Sequence, residues 1–106
     1  MSVFAQVDVA QNDLLGKWTA NKLVAFGSTT EMDDNYYVTY EFSNDGNLTQ
    51  SEYDDGKVTT NVYKYWVKDQ RLQMNNGFLD VDLEVLEKSP ESLVIKGPHA
   101  TLYFEK

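Results

Sequence analysis

From residue 43 to residue 99 the chain has to reverse direction every few residues, and no other feature constrains its fold as strongly. "SNDGN" (Ser43 to Asn47) and "DDGK" (Asp54 to Lys57) carry Asp-Gly pairs, which supply the positive φ values that tight hairpins need. "KDQR", "NNG", "KSPE" and "KGPH" punctuate the remainder. The segments between these signals are too short to contain a crossover, so neighbouring strands must run antiparallel. They are rich in Val, Thr, Tyr, Phe and Leu, residues that suit a pleated, half-buried surface.

Eight strands are predicted: Lys17–Phe26, Tyr36–Ser43, Asn47–Tyr53, Lys57–Lys68, Arg71–Asn75, Phe78–Glu87, Ser92–Lys96 and Ala100–Glu105. In "FLDVDLEV" one face receives Leu79, Val81, Leu83 and Val85, and the other receives Asp80, Asp82 and Glu84. "YYVTYEF" sets Tyr36, Val38, Tyr40 and Phe42 against Tyr37, Thr39 and Glu41, and "TLYFE" sets Leu102 and Phe104 against Thr101, Tyr103 and Glu105. One wet and one dry face is the antiparallel pattern. Eight such strands can close on themselves and so remove their edges. The fold class expected is therefore all-β, an eight-stranded antiparallel up-and-down barrel, with a two-sheet sandwich as the alternative. "QNDLLGKW" supplies one helical turn before the first strand, capped by Asn12 or Asp13. The loop Gly27 to Asn35, bearing Glu31, Met32, Asp33 and Asp34, is expected to be mobile and to lie across the open mouth.

A chain of 106 residues makes one domain, here residues 12–106 after an N-terminal segment of residues 1–11. There is no cysteine, hence no disulfide framework and no thiolate metal site. The formal charge of −8 argues against nucleic acid and anionic membrane surfaces as partners. No apolar run is long enough to span a bilayer. "MSVFAQ" places Val3 and Ala5 at the −3 and −1 positions of a signal-peptidase site, with Gln6 as the first mature residue. That spacing predicts a signal-peptide remnant and an exported protein; an ordinary N-terminus is the alternative, because the charged and apolar parts of a signal are missing.

Three stretches carry a resemblance. Leu14-Leu15-Gly16-Lys17-Trp18, Phe42-Ser43-Asn44-Asp45-Gly46 and Thr101-Leu102-Tyr103-Phe104-Glu105-Lys106 follow the pattern L-x-G-x-W, F-x-x-D-G and a final apolar strand. In this the chain resembles the lipocalin-like (calycin-type) proteins, and most of all the short lipocalin-like domains of bacterial exported proteins. It lacks the second motif near T-D-Y of full-length lipocalins. The resemblance implies that Trp18 lies across the closed end of the barrel as a structural plug, beneath the helical turn and next to Gly16. It also implies a basic residue of the last strand stacked over the indole, a part that Lys106 is placed to play through a cation–π contact.

Among candidate site residues, Tyr36, Tyr40 and Tyr63 fall on neighbouring strands, either as amphipathic walls of a pocket or as cross-strand packing. Trp66 shares parity with Val62 and either packs in the core or lines a cavity. With Met32 these residues form the candidate ligand-binding set. The inward bulk of Phe42, Leu83, Leu102 and Phe104 implies a small cavity. His99 reads as a solvated turn residue. Asp80, Asp82 and Glu84 fall on the wet face without the loop of a calcium site, so neither metal nor cofactor is expected. Lys57, Lys64, Lys68 and Arg71 read as a salt-bridged surface. No nucleophile elbow, phosphate loop or zinc signature is present. The function expected is a non-catalytic binding module for a small apolar or amphipathic ligand such as a lipid, with a monomer favoured and the oligomeric state left open. An exported interaction or inhibitor domain with a filled core and an acidic binding surface is the alternative.

Overall fold

A two-residue hairpin needs both central residues at positive φ to match the twist of its strands. Phe26-Gly27 (φ 52° and 78°), Asp55-Gly56 (54° and 87°) and Asp69-Gln70 (54° and 64°) meet that need. These turns articulate an antiparallel sheet in the computed structural model, which describes residues 9–106. The signal-peptide spacing at residues 1–6 lies outside the described residues.

A single helical turn, α1 (Gln11–Leu14), precedes the strands β1 (Gly16–Ala25), β2 (Ser28–Glu31), β3 (Tyr36–Phe42), β4 (Asn47–Asp54) and β5 (Lys57–Lys68). β6 (Arg71–Asn75), β7 (Asp80–Lys88), β8 (Ser92–Lys96) and β9 (Thr101–Glu105) complete the chain. From β3 to β9 each strand pairs with the next, and β9 returns to β1 between Thr19 and Val24, so the sheet closes. The nine segments make an eight-stranded barrel because β2 and β3 share one edge of β1. β3 lies opposite Gly16 to Ala20, and β2 opposite Lys22 to Ala25. The expected barrel, rather than the sandwich, is the fold.

Two local expectations are corrected. The stretch Gly27 to Asn35 is not a loop lying across the mouth, because Ser28–Glu31 forms β2 and extends β1 into a hairpin. All four β2 residues are exposed, so backbone pairing, not an apolar face, makes the strand. The remaining link is fixed by Met32 N–H donating to the Asn21 carbonyl at 2.9 Å and by Asp33 exchanging backbone hydrogen bonds with Tyr36. The helical turn, in turn, is capped at Ala10 and not at Asn12 or Asp13. Asp13 lies within it and reaches back, its carboxylate accepting from the Ala10 N–H at 2.9 Å.

The dry face fills the interior with Phe42, Leu48, Tyr65, Leu72, Val85, Leu93 and Phe104, among others. Tyr40 packs on Phe104 at 4.8 Å between ring centroids, and Phe42 meets Tyr65 edge-on at 5.0 Å. At one end α1 closes the barrel, beside the turns at 43–46, 69–70 and 89–91; at the other, the turns at 26–27, 55–56, 76–79 and 97–100 surround a mouth. Both limits of the described chain are at the closed end, where Val9 N–H donates to the Gln70 carbonyl at 3.0 Å and Lys106 N–H to that of Glu91 at the same distance.

Trp18 fills this end. It is 1% exposed, and its indole N–H donates to the Leu14 carbonyl at 2.8 Å, which satisfies its one polar atom and one free carbonyl of the helical turn. The Lys106 ammonium donates to the Leu15 carbonyl at 2.7 Å and stands 4.5 Å from the indole ring centroid. Gly16 makes room for it: φ is +113°, and a Cβ there would be 2.8 Å from Lys106 Cε and Nζ.

Two stability changes follow. Trp18→Ala should cost about 3–5 kcal/mol, the range for deleting a large buried aromatic, read from urea unfolding; a loss below about 1 kcal/mol would show that the indole does not hold the closed end. Gln70→Gly should raise stability by about 0.5–1 kcal/mol, since Gln70 occupies a left-handed conformation that glycine adopts without steric cost. Its midpoint should move to higher urea with an unchanged slope.

Candidate functional site

Inward-facing residues near the mouth do not meet at the barrel axis, and a cavity of about 430 Å³ is left there. Its wall is built from the dry faces of the strands: Tyr40 and Gln50 from β3 and β4, Met74 from β6, Val81 and Leu83 from β7, Ile95 from β8 and Leu102 from β9. Gly97, Pro98, His99 and Ala100, in the turn between β8 and β9, form part of the rim, with Asn76 across from them. Phe26 and Phe78, each 92% exposed, stand at the tips of two mouth-side turns, and Leu79 is exposed beside Phe78. Aliphatic carbon dominates the wall, and no Lys, Arg, Asp or Glu contributes to it.

Two of its polar side chains come from one cross-strand pair. Tyr40 and Gln50 sit directly opposite in the ladder of β3 with β4. Leu48 and Phe42 below them fix the inward parity of both strands. Burial, with a smaller contribution from the nearby Tyr63, pushes the Tyr40 phenol up to about 12. It therefore stays protonated and presents an O–H donor. Neither the Tyr40 hydroxyl nor the Gln50 amide has a hydrogen-bond partner among the described residues, although both line the cavity. A polar pair without partners on an apolar wall favours a ligand that brings a matching polar atom.

The five sequence-selected residues do not gather into one site. Only Tyr40 lines this cavity. Tyr63 shares the inward parity of the buried Tyr65 and lies close enough to Tyr40 to affect its ionisation. Tyr36 packs against the core, and its hydroxyl donates to Glu52 Oε2 at 2.8 Å. That hydrogen bond, with burial, raises its pKa. Met32 contributes to a separate surface hollow beside Thr19, Asn21 and Tyr37. Trp66 is on the outer face, opposite Gln73 in the β5–β6 ladder, because Tyr65 and Val67 on either side of it turn inward. Three aromatics in "YKYW" span both faces of one strand, and parity with Val62 led outward, since Val62 is 61% exposed.

Parity had already selected Leu83 and Leu102 as inward residues and grouped Val81 with them. Met74 follows the same rule from Leu72 in "RLQMN" and was legible without being singled out. His99 is exposed, and it also borders the cavity. The wet-face carboxylates are engaged by neighbours, Asp82 with Arg71 and Gln73, and Asp80 with Asn75 at 3.0 Å. Of the four basic residues read as a salt-bridged surface, Arg71 is so paired, and Lys64 donates to Asn47 at 2.8 Å. Among the described residues no group of three or more His, Cys, Asp or Glu is placed to hold a metal ion, and no helix is long and apolar enough to cross a membrane.

A second hollow, about 520 Å³, lies at the closed end between Trp18, Asn12, Ser89 and Pro90. Its charged groups are already committed: Lys88 pairs with Asp13 at 2.6 Å, and Lys106 holds the Leu15 carbonyl. The Lys88 ammonium, followed by the Ala10 N–H, holds the Asp13 carboxyl below its ordinary 3.8. A carboxyl with a depressed folded pKa stabilises above its unfolded value, and that contribution disappears as pH falls through the folded one. Asp13→Asn keeps the hydrogen bond to Ala10 and removes the charge. It should cost about 0.5–1 kcal/mol at neutral pH, the range of a partly exposed pair, and nothing once both carboxyl states are protonated. Urea unfolding followed from pH 7 downward through the carboxylate range measures the difference; a cost that does not shrink as pH falls would remove the ion pair as its cause.

A family described as a lipocalin-like domain matches residues 14–95 of the chain. No curated protein matches it. Among solved structures, the chain is similar to the crystal structure of a lipocalin-like protein from Bacteroides uniformis, with a TM-score of 0.70 and 22% identity over 89% of this chain and 98% of that one. At that identity the likeness speaks for the fold.

Proposed function

This chain belongs to the lipocalin-like domain family, and from that premise we propose that it binds one small, uncharged amphipathic molecule in the mouth of its barrel. The observation that carries this reading is the unpartnered Tyr40–Gln50 pair on the wall of a 430 Å³ cavity. An eight-stranded barrel has room for one small ligand, and this one has kept that room on the mouth side while Trp18 fills the other. Aliphatic walls take the tail of the molecule. The Tyr40 hydroxyl donates to its polar end, and the Gln50 amide donates or accepts. With no Lys or Arg in the wall, a buried carboxylate would lack a counter-charge and would cost several kcal/mol, so a neutral head is favoured over an acid. Phe26, Phe78 and Leu79 expose further apolar surface at the tips of two mouth-side turns. Export belongs to this proposal and rests on the Val3-x-Ala5 spacing; absence of catalysis rests on the family and on a wall without a nucleophile–base pair. The filled-core interaction domain has the cavity against it.

The test is a pair of probes with one tail and two heads. 1-Decanol should displace an apolar fluorescent dye from the cavity with micromolar affinity, about −8 kcal/mol. Decanoate at pH 8 should bind at least about tenfold more weakly, given the cost of an unpaired buried charge. Tyr40→Phe should weaken decanol about two- to tenfold, the worth of one hydrogen bond, with unchanged unfolding. Absence of saturable binding by dye and alcohol alike would sink the reading.

A further inference from the structure

β5 is twelve residues long, yet β6, which runs beside it, is five. β6 pairs only with Lys64 to Lys68, after which the chain turns at 76–79 and leaves as β7. Along Lys57 to Tyr63, β5 is therefore paired to β4 on one side and, among the described residues, to nothing on the other. The two-residue turn Asp55-Gly56 closes on the Asp54–Lys57 pair, which fixes the phase of the ladder. Odd-numbered residues of β5 turn their N–H and C=O toward β4, and even-numbered residues turn theirs away. Lys64, Trp66 and Lys68 spend theirs on β6; Val58, Thr60 and Val62 present theirs at the open edge.

Such an edge is normally guarded by charge, proline or a bulge. This one carries none of these between Val58 and Tyr63, and its outer-face valines are 54% and 61% exposed. It is also self-complementary. An antiparallel copy centred on Thr60 sets Thr60 against Thr60, and Val58 against Val62 twice, with every free N–H and C=O of the three residues paired. Registers displaced by two residues leave some of those groups idle or run into Lys64, which is already paired with Asn75. Displacement by one residue would place an outward side chain against an inward one. In the Thr60-centred register Gly56 of each copy reaches the level of Lys64 of the other, so the new pairing ends where β6 begins.

From this we infer that β5 is a dimerisation edge: two copies of the chain join through Val58, Thr60 and Val62 about a two-fold axis at Thr60, which makes one continuous sheet of two barrels. The contact is isologous and closes with two members. It is independent of the ligand-binding reading, since the edge is outside the cavity.

Sedimentation velocity on the full chain from about 1 µM to 1 mM, a range that brackets a weak dimer, should show a reversible shift from monomer to dimer. Amide exchange at Val58, Thr60 and Val62 should slow as concentration rises. Val62→Lys should move the midpoint to at least about tenfold higher concentration, with the change made twice across the axis. Combining it with Val58→Glu sets a carboxylate opposite an ammonium twice and should restore the dimer, an outcome specific to this register. Thr60→Pro removes the central free N–H and the Ser51–Thr60 side-chain hydrogen bond while leaving the backbone bonds to β4 in place; it should abolish association, whereas Thr60→Val, which loses only the side-chain bond, should keep it. A chain that stays monomeric throughout, or a dimer that ignores these variants, overturns the inference. Protection of the three amides that does not change with concentration overturns it too, because the edge would then be covered within one chain, for example by residues 1–8.

Discussion

A strand has two edges, and the barrel exists because β1 has both of them occupied. One edge takes β3 and then β2, the other takes β9 from Thr19 to Val24, with a register shift between Ala20 and Lys22. That shift lets one strand bend to serve partners at different heights. Closure also determines where Trp18 goes, since β1 starts at the end that α1 covers. The indole, the Leu14 carbonyl, Lys106 and Gly16 thus form one unit that joins the first strand to the last.

The two ends of the barrel have been used differently. Large aromatics crowd the closed half, where Phe42, Tyr65 and Phe104 leave no room. Around the cavity the inward positions are taken by thinner aliphatic side chains and by the Tyr40–Gln50 pair. A close-packed interior tolerates few voids. The remaining cavity is therefore a property of residue choice along the strands, and the Tyr40–Gln50 pair on its wall lacks hydrogen-bond partners among the described residues.

Alternation in "FLDVDLEV" and "YYVTYEF" was enough to assign inward and outward faces, and Asp-Gly pairs were enough to place the hairpins. Alternation says nothing of height along the barrel axis. Height depends on register and stagger, which are set by long-range pairing such as Thr19 with Glu105. That is why Tyr36, Tyr40 and Tyr63, neighbours by strand order, ended in different surroundings. β2 escaped notice because "STTE" has no apolar face to signal a strand; its pairing is dictated by the Phe26-Gly27 turn, which "AFGS" announces only weakly. Trp66 was misassigned for a related reason, since consecutive aromatics give no unique phase. The plug, by contrast, is nearly local in sequence: Leu14 to Trp18 carry most of it, and only Lys106 comes from afar.

Val9 and Lys106 both sit at the plugged end, on the opposite side of the barrel from Phe26, Phe78 and the cavity entrance. Whatever is joined to the chain beyond Lys106, be it a tag, a solid support or a second domain, approaches from below and leaves the entrance facing outward. Immobilisation through Lys106 should thus leave the traffic of small molecules at the rim unobstructed. A circular permutation that joined Val9 to Lys106 would bridge the plugged end, whereas new ends opened at the 55–56 turn would point the attachment toward the entrance side of the barrel.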